Sequence, residues 1–338
     1  MKSFEYLRVG SIDEAVRAKT AHPDARFLGG GTNLIDLMKA RVIRPSRLID
    51  INHLPLKQIE EMPDGYLRIG ALVPNTDAAY HSRVATRYPL LSSAILAGAT
   101  QQLRNMASTG GNLMQRTRCY YFYDTATPCN KREPGSGCSA LTGQNRIHAI
   151  LGASASCIAT HPSDMCVALA ALDARVRTLG SGGERVIPFL EFHRLPGETP
   201  QIDTNLRADE IITAVELPAK GFASNYTYLK IRDRASYAFA LVSIAVGLEL
   251  DGGIIRETRI ALGGVAHKPW RDPEVEATLV ASVAGRESFE RAAGMMLRGA
   301  RGYGHNDFKI ELARRGIVRV LSQAAAGTPQ SQSDKRIR

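Results

Sequence analysis

The chain has 338 residues, 44% hydrophobic and 22% charged, which is the composition of an ordinary globular protein with material for two or three domains. Its net charge of +10 is scattered, with no run of five basic residues and no nucleic-acid motif. That pattern favours an acidic partner surface or an anionic cofactor over nucleic acid. The longest apolar stretch, residues 237–250, is too short to span a bilayer, and five cysteines in a chain this large argue against a disulfide-stapled scaffold.

Phe4, Tyr6 and Leu7 read as a short strand. No apolar signal region follows Met1–Gly10, so no export signal is expected. Ser11 with Glu14 predicts a capped helix through Lys19, stopped by His22-Pro23. Arg26, Phe27 and Leu28 form a short strand that runs into Gly29, Gly30, Gly31, Thr32 and Asn33, and a helix is expected over Leu34–Ala40. Strand, glycine run, helix is a layout in which backbone N–H groups can hold a phosphate. A tight turn alone would have the same spelling, and neither the full dinucleotide fingerprint nor a Walker lysine is present.

Strands are expected at Leu48–Ile51 and, after the Pro63-Asp64-Gly65 turn, at Tyr66–Ala71. Asn75 or Thr76 caps a helix through Tyr88, and Pro89 starts another through Ala99. Ser108, Thr109, Gly110, Gly111 and Asn112 make a second turn that lets backbone come close to a ligand. Pro162 and Asp164 open a helix over Met165–Leu172, where Asp164 suits the positive end of the dipole. Strands follow at Arg175–Leu179, Arg185–Ile187 and Glu210–Leu217, and Pro218–Gly221 looks like a domain boundary. Beyond it, strands are predicted at Tyr226–Ile231, Ala238–Leu250 and Ile254–Leu262, then helices at Pro273–Val283, Ser288–Leu297 and Asn306–Ala325. The tail, 327–338, is too polar to pack and is expected to be disordered.

Cys119, Cys129, Cys138 and Cys157, separated by nine, eight and eighteen residues, stand in a Gly- and Pro-rich segment with little helical periodicity. A loop of this length needs something to hold it, and metal–thiolate bonds would do so. The dispersed spacing suits an iron–sulfur cluster, zinc is a second reading without its usual knuckles, and four unrelated thiols are a third. Cys166, in an Ala/Leu/Val context, reads as a small core residue. His148 is a possible ligand but fits a structural role better.

The segments RFLGGGTNL (26–34), STGGN (108–112), HPSD (161–164) with ALAALDARV, and YLKIR (228–232) with FALVSIAV resemble the flavin-binding subunit of the xanthine dehydrogenase family, the molybdenum hydroxylases. The resemblance runs in order from Phe4 to about Ala325. The four-cysteine insertion is similar to that of 4Fe–4S-containing flavin subunits of bacterial periplasmic aldehyde oxidoreductases, and less closely to that of 4-hydroxybenzoyl-CoA reductase.

What the resemblance implies is an α+β protein. A vanillyl-alcohol-oxidase-type FAD-binding domain in two lobes would span 1–219, with the iron–sulfur insertion at 117–159, and a carbon monoxide dehydrogenase flavoprotein-like domain would span 222–326. FAD would lie on Arg26–Asn33 and Ser108–Asn112, Asp164 would contact it from the helix start, and Leu217 and Lys230 would approach the flavin ring. A cation such as Lys230 would favour reduced, anionic flavin. Near Gly98, where some relatives set an aromatic residue against adenine, this chain has small residues.

Cys119, Cys129, Cys138 and Cys157 would hold a 4Fe–4S cluster. Partners would be a large molybdenum-cofactor subunit and a small 2Fe–2S subunit in a heterotrimer, exported to the periplasm with a partner or else cytoplasmic. The chain would move electrons and carry no catalytic residue for the organic substrate. A stand-alone FAD oxidase of the same fold, or a zinc-stabilised binding module, are the alternatives, separable by visible spectrum.

Overall fold

Strand Arg26–Leu28 forms one edge of a three-stranded parallel sheet, with Arg47–Asp50 at the centre and Glu5–Arg8 at the far edge. These coordinates come from a computed structural model that describes residues 1–327; the polar tail lies outside the described residues. Helix Ile12–Ala21 covers this sheet, burying Ala15 and Val16 against Ile49. Ser11 Oγ accepts from Glu14 N at 3.1 Å, and the Glu14 carboxylate reaches back to Gly10 N at 2.8 Å, so the cap lands one residue earlier than the ideal box.

The second lobe is a five-stranded antiparallel sheet in the order Ile59–Glu61, Leu67–Gly70, Ile211–Leu217, Arg175–Gly180, Gly183–Pro188. Its last-arriving strand, Ile211–Leu217, inserts between two earlier ones, so the lobe closes only when residues far apart in the chain meet. The third sheet is antiparallel, Trp270–Arg271, Ile254–Gly263, Val242–Asp251, Tyr226–Ile231. Helix Phe308–Ala325 packs on one of its faces and helix Asp164–Ala171 on the other. Coverage on both faces explains why strand Val242–Asp251 is buried without a break from Val242 to Leu248. Its Ile244, Val246 and Leu248 join Ile317 and Leu321, while Ala245 joins the core around Cys166 and Leu169.

Helix Asp164–Ala171 is buried at every residue, and its alanines let it sit between helix Pro89–Ala97 and the third sheet. Several expectations are corrected. The helix expected through Tyr88 breaks at His81, whose ψ of 129° is extended, giving Asn75–Tyr80 and Ser82–Arg87. Helix Gln101–Met106, capped by Thr100, forms in a stretch to which no element is assigned from sequence. The strand expected from Ala238 starts at Val242, after a loop in which Tyr237 takes φ of 51°. The helix starting at Pro273 stops at Leu279.

Candidate functional site

Both glycine loops lie where the parallel sheet meets the second lobe, and they touch. A Cβ on Gly30 would stand 1.7 Å from the carbonyl oxygen of Met106, and one on Gly29 would stand 3.1 Å from Ser108 Oγ. Gly30 is therefore required by backbone against backbone. Gly31 turns the chain with φ of 74° into helix Leu34–Lys39. Asn52 fixes the first loop from outside, donating to the carbonyls of Leu28 at 3.3 Å and Gly29 at 3.2 Å while bonding Asp50 at 2.7 Å.

The donors of the two loops are used differently. Among the described residues, the N–H groups of Gly30, Gly31, Thr32 and Asn33 have no protein acceptor. The second loop is a turn of helix, Thr109–Leu113, and its donors are taken. Thr109 N donates to Val73 O at 2.9 Å, Gly110 N to Ala71 O at 2.8 Å, Asn112 N to Ser108 O at 2.8 Å, and Gly111 N to Ser108 Oγ at 3.2 Å. The anion-binding donors expected of the first loop are thus free, while those of the second are taken. Ser108–Asn112 offers instead a tight surface braced on the exit of strand Leu67–Gly70.

Asn112 links that loop to the next site residue. Its Oδ1 accepts from Ser163 Oγ at 2.5 Å, and Ser163 caps helix Asp164–Ala171 by accepting from Cys166 N at 3.0 Å. Asp164 is buried and committed: Lys230 Nζ lies 2.8 Å from Oδ2 and Tyr228 donates to Oδ1 at 2.6 Å. Lys230 also donates to Ala97 O at 3.1 Å. The ammonium is therefore neutralised by a carboxylate instead of standing as a lone cation. Burial and the adjacent Asp164 charge hold the Tyr228 hydroxyl well above its ordinary pKa, so it stays a proton donor. Gly98 sits over this pair, where a Cβ would lie 3.2 Å from Asp164 Oδ2, which accounts for the absence of a bulky residue there. Leu217 is fully buried in register with Leu67, its side chain in the hydrophobic core.

The four cysteines of the insertion, all unpaired, line one cavity together with Asn130, Lys131 and Phe122. Cys129 and Cys138 face each other across a short bridge closed by Asn130, which accepts from Gly137 N at 2.8 Å. Arg132 donates to the carbonyls of Tyr121 at 2.7 Å and Phe122 at 2.9 Å, and the buried Lys131 pairs with Asp203. Side-chain bonds to backbone thus hold much of the loop. Burial and the neighbouring thiols push Cys119 up to about 12 and Cys157 up to about 11, so a positive centre is what would make them thiolates.

Among the described residues, these four sulfurs are not gathered into one close group of metal ligands. A single tetrahedral zinc with Zn–S near 2.3 Å would need sulfurs about 3.8 Å apart. The four thiols line one cavity and do not stand in that arrangement. His148 is not a free ligand candidate, since its Nε2 lies 3.0 Å from Cys119 Sγ. Cys166 is fully buried in the hydrophobic core. It approaches His161 and His193 there, and His193 Nε2 lies 2.9 Å from Leu113 O.

Sequence reasoning did not find Asn52 or Arg118. Arg118 precedes Cys119, and its guanidinium donates to Asn33 Oδ1 and, at 2.6 Å, to Tyr123 OH. Neither residue carries a local signal, because each acts on a segment distant in the chain.

Residues 2–220 match the FAD binding domain in molybdopterin dehydrogenase, and residues 227–324 match the CO dehydrogenase flavoprotein C-terminal domain. The chain is 50% identical over 327 residues to the aldehyde oxidoreductase FAD-binding subunit PaoB of Escherichia coli K12, covering 96% of this chain and 99% of that one. It is 29% identical to the glyceraldehyde dehydrogenase medium chain of Sulfolobus acidocaldarius, over 95% of this chain and 96% of that one. Among solved structures, the carbon monoxide dehydrogenase of Hydrogenophaga pseudoflava superposes with a TM-score of 0.76 at 26% identity, covering 97% of this chain and 99% of the other. Quinoline 2-oxidoreductase from Pseudomonas putida 86 does so with a TM-score of 0.74 at 27% identity, with the same coverage. With free N–H donors on a glycine loop, a second loop pressed against it and both domains matched end to end, the chain belongs to the FAD-binding subunits of the molybdenum hydroxylase family and is an oxidoreductase subunit.

Proposed function

We propose that this chain is the FAD- and 4Fe–4S-carrying electron-transfer subunit of a molybdenum-dependent aldehyde oxidoreductase. In this reading it takes electrons from a partner's 2Fe–2S clusters and releases them to an external acceptor. The observation that carries it is the pairing, in one chain, of an acceptor-free glycine loop with one cavity lined by four thiols. The 50% identity to an aldehyde oxidoreductase FAD-binding subunit supports the aldehyde class. FAD, when bound, supplies the exchange between two-electron and one-electron transfer.

The chain's own residues bind and orient. Gly30 to Asn33 would direct their N–H groups at the pyrophosphate, beside Arg26, Phe27 and Leu28 of the strand that carries them. Ser108 to Asn112 would form the opposing wall. Asp164, Tyr228 and Lys230 would contribute a neutral, hydrogen-bonded unit near the ring. Cys119, Cys129, Cys138 and Cys157 would ligate the cluster. Substrate chemistry would take place at a molybdenum centre in a partner subunit.

The test is anaerobic. FAD-loaded chain is mixed with aldehydes and the flavin absorbance is followed. It stays oxidised until the molybdenum and 2Fe–2S subunits are added and bleaches after that. Bleaching by aldehyde with this chain alone would instead make it a stand-alone oxidase.

A further inference from the structure

One arginine joins the two sites just described. Arg118 is the residue before Cys119, and its Nη2 donates to Asn33 Oδ1 at the end of the first glycine loop. Its Nη1 donates to Tyr123 OH at 2.6 Å and lies 3.5 Å from Asp36 Oδ2, while Tyr123 OH donates to the same Asp36 oxygen at 3.0 Å. The guanidinium also stacks 4.9 Å from the ring of Phe239, in the loop before strand Val242–Asp251. Its Nε–H is buried and has no protein acceptor among the described residues. Packing repeats the connection, because Leu37 and Val42, on and just after the helix that follows the glycine loop, share a hydrophobic cluster with Cys119, Cys129 and Cys157.

Asp36 gives these bonds a consequence. It stands in the first turn of helix Leu34–Lys39, where an uncompensated carboxylate would repel a pyrophosphate arriving at the same end. Arg118 offsets that charge and orients Asn33, and in the chain it directly precedes Cys119, a residue of the thiol cage. Resting on the cluster reading above, we propose that Arg118 is a positioning residue that couples the two cofactors: an occupied thiol cage fixes Cys119, Cys119 fixes Arg118, and Arg118 holds the glycine loop in the form that retains FAD. Emptying the cage frees the backbone at Cys119 and loosens FAD from a distance.

The experiment uses the full chain with its partner subunits. Iron per chain and the FAD dissociation constant, from flavin fluorescence, are measured before and after anaerobic removal of the cluster with oxidant and chelator. Wild type should weaken for FAD by about ten- to a hundredfold on iron removal, the worth of one or two charge-assisted hydrogen bonds. Arg118→Ala should keep its iron, bind FAD weakly from the start and change little when stripped. Tyr123→Phe, which keeps the ring and removes only the hydroxyl, should show the same pattern in weaker form and covers the case in which Arg118→Ala misfolds. Wild-type FAD affinity that is indifferent to iron, or an Arg118→Ala protein that still tightens on FAD when its cluster is present, overturns the coupling alone. Wild type purified without iron overturns the cluster reading, and the coupling falls with it.

Discussion

Lys230 and Asp164 meet 2.8 Å apart from different domains, the lysine on a strand of the third sheet and the aspartate at the head of the helix beneath it. Both side chains are under a tenth exposed, so each is the other's main source of charge compensation. Lys230→Met leaves a buried carboxylate with only Tyr228 and should cost about 3–5 kcal/mol, measured by denaturant unfolding. Asp164→Asn together with Lys230→Met should be less destabilised than the sum of the single variants. Simple additivity would mean that the pair is not coupled.

The glycine loops can be tested without a bulky residue. Because a Cβ at Gly30 would meet the Met106 carbonyl at 1.7 Å, Gly30→Ala should shift the loop, cost about 1–3 kcal/mol and lose most bound FAD. Gly111→Ala meets only Ser108 Oγ, at 2.8 Å, so it should disturb the cap and lose less flavin. Flavin-to-protein absorbance ratios and melting temperatures read both. Full FAD occupancy in Gly30→Ala would show that this loop is not the pyrophosphate site.

Iron analysis separates the cysteines. About four irons per chain are expected, and Cys119→Ser, Cys129→Ser, Cys138→Ser and Cys157→Ser should each lose iron. Cys166→Ser should keep it, because that thiol lies in the hydrophobic core. Iron loss in Cys166→Ser with retention in Cys157→Ser would reassign the ligands.

Acid should weaken the protein before its carboxylates titrate. Burial pushes His193 and His267 down to about 4, and burial with the neighbouring His193 pushes His161 well below its ordinary value. His267 faces Asp203 at 3.8 Å, and the nearby Lys131 charge also disfavours its protonation. The unfolded chain, with histidines near 6.5, binds protons that the folded chain refuses, so stability is present above about pH 6.5 and is lost as pH falls toward 4. The loss is on the order of 3 kcal/mol for each of His193 and His267. Urea midpoints at a series of pH values check it, and His267→Gln should flatten the curve between those limits.

The close approach of the glycine loops and the gathering of four cysteines round one cavity were legible because their residue types announce them wherever they stand. So was helix Asp164–Ala171, whose cap and small apolar residues are local signals. What could not be read depends on partners brought from afar. The break at His81 has no glycine or proline at that residue, and the donors of Thr109 and Gly110 are consumed by carbonyls at Val73 and Ala71. Lys230, expected as a cation near the flavin ring, is paired with a residue 66 positions earlier that nothing local announces. Arg118 has the ordinary spelling of a surface arginine until the fold sets it against Asn33.

The boundary near Pro218 is visible in sequence, yet the cysteine insertion is fastened across it. Lys309, on the last helix, donates to His148 O at 2.7 Å and to Gly264 O at 2.5 Å, and Asn306 donates to His148 O at 3.3 Å and Ala149 O at 3.0 Å. Asn145 returns the contact, donating to Tyr303 O at 2.8 Å. Severing the chain at the boundary would part the carbonyls of His148 and Ala149 from Lys309 and Asn306, and that of Tyr303 from Asn145, at about 1–3 kcal/mol for each buried group left without a partner. A gene split at that point would yield two pieces that need each other to finish folding, and the thiol cage would be the part left unfinished.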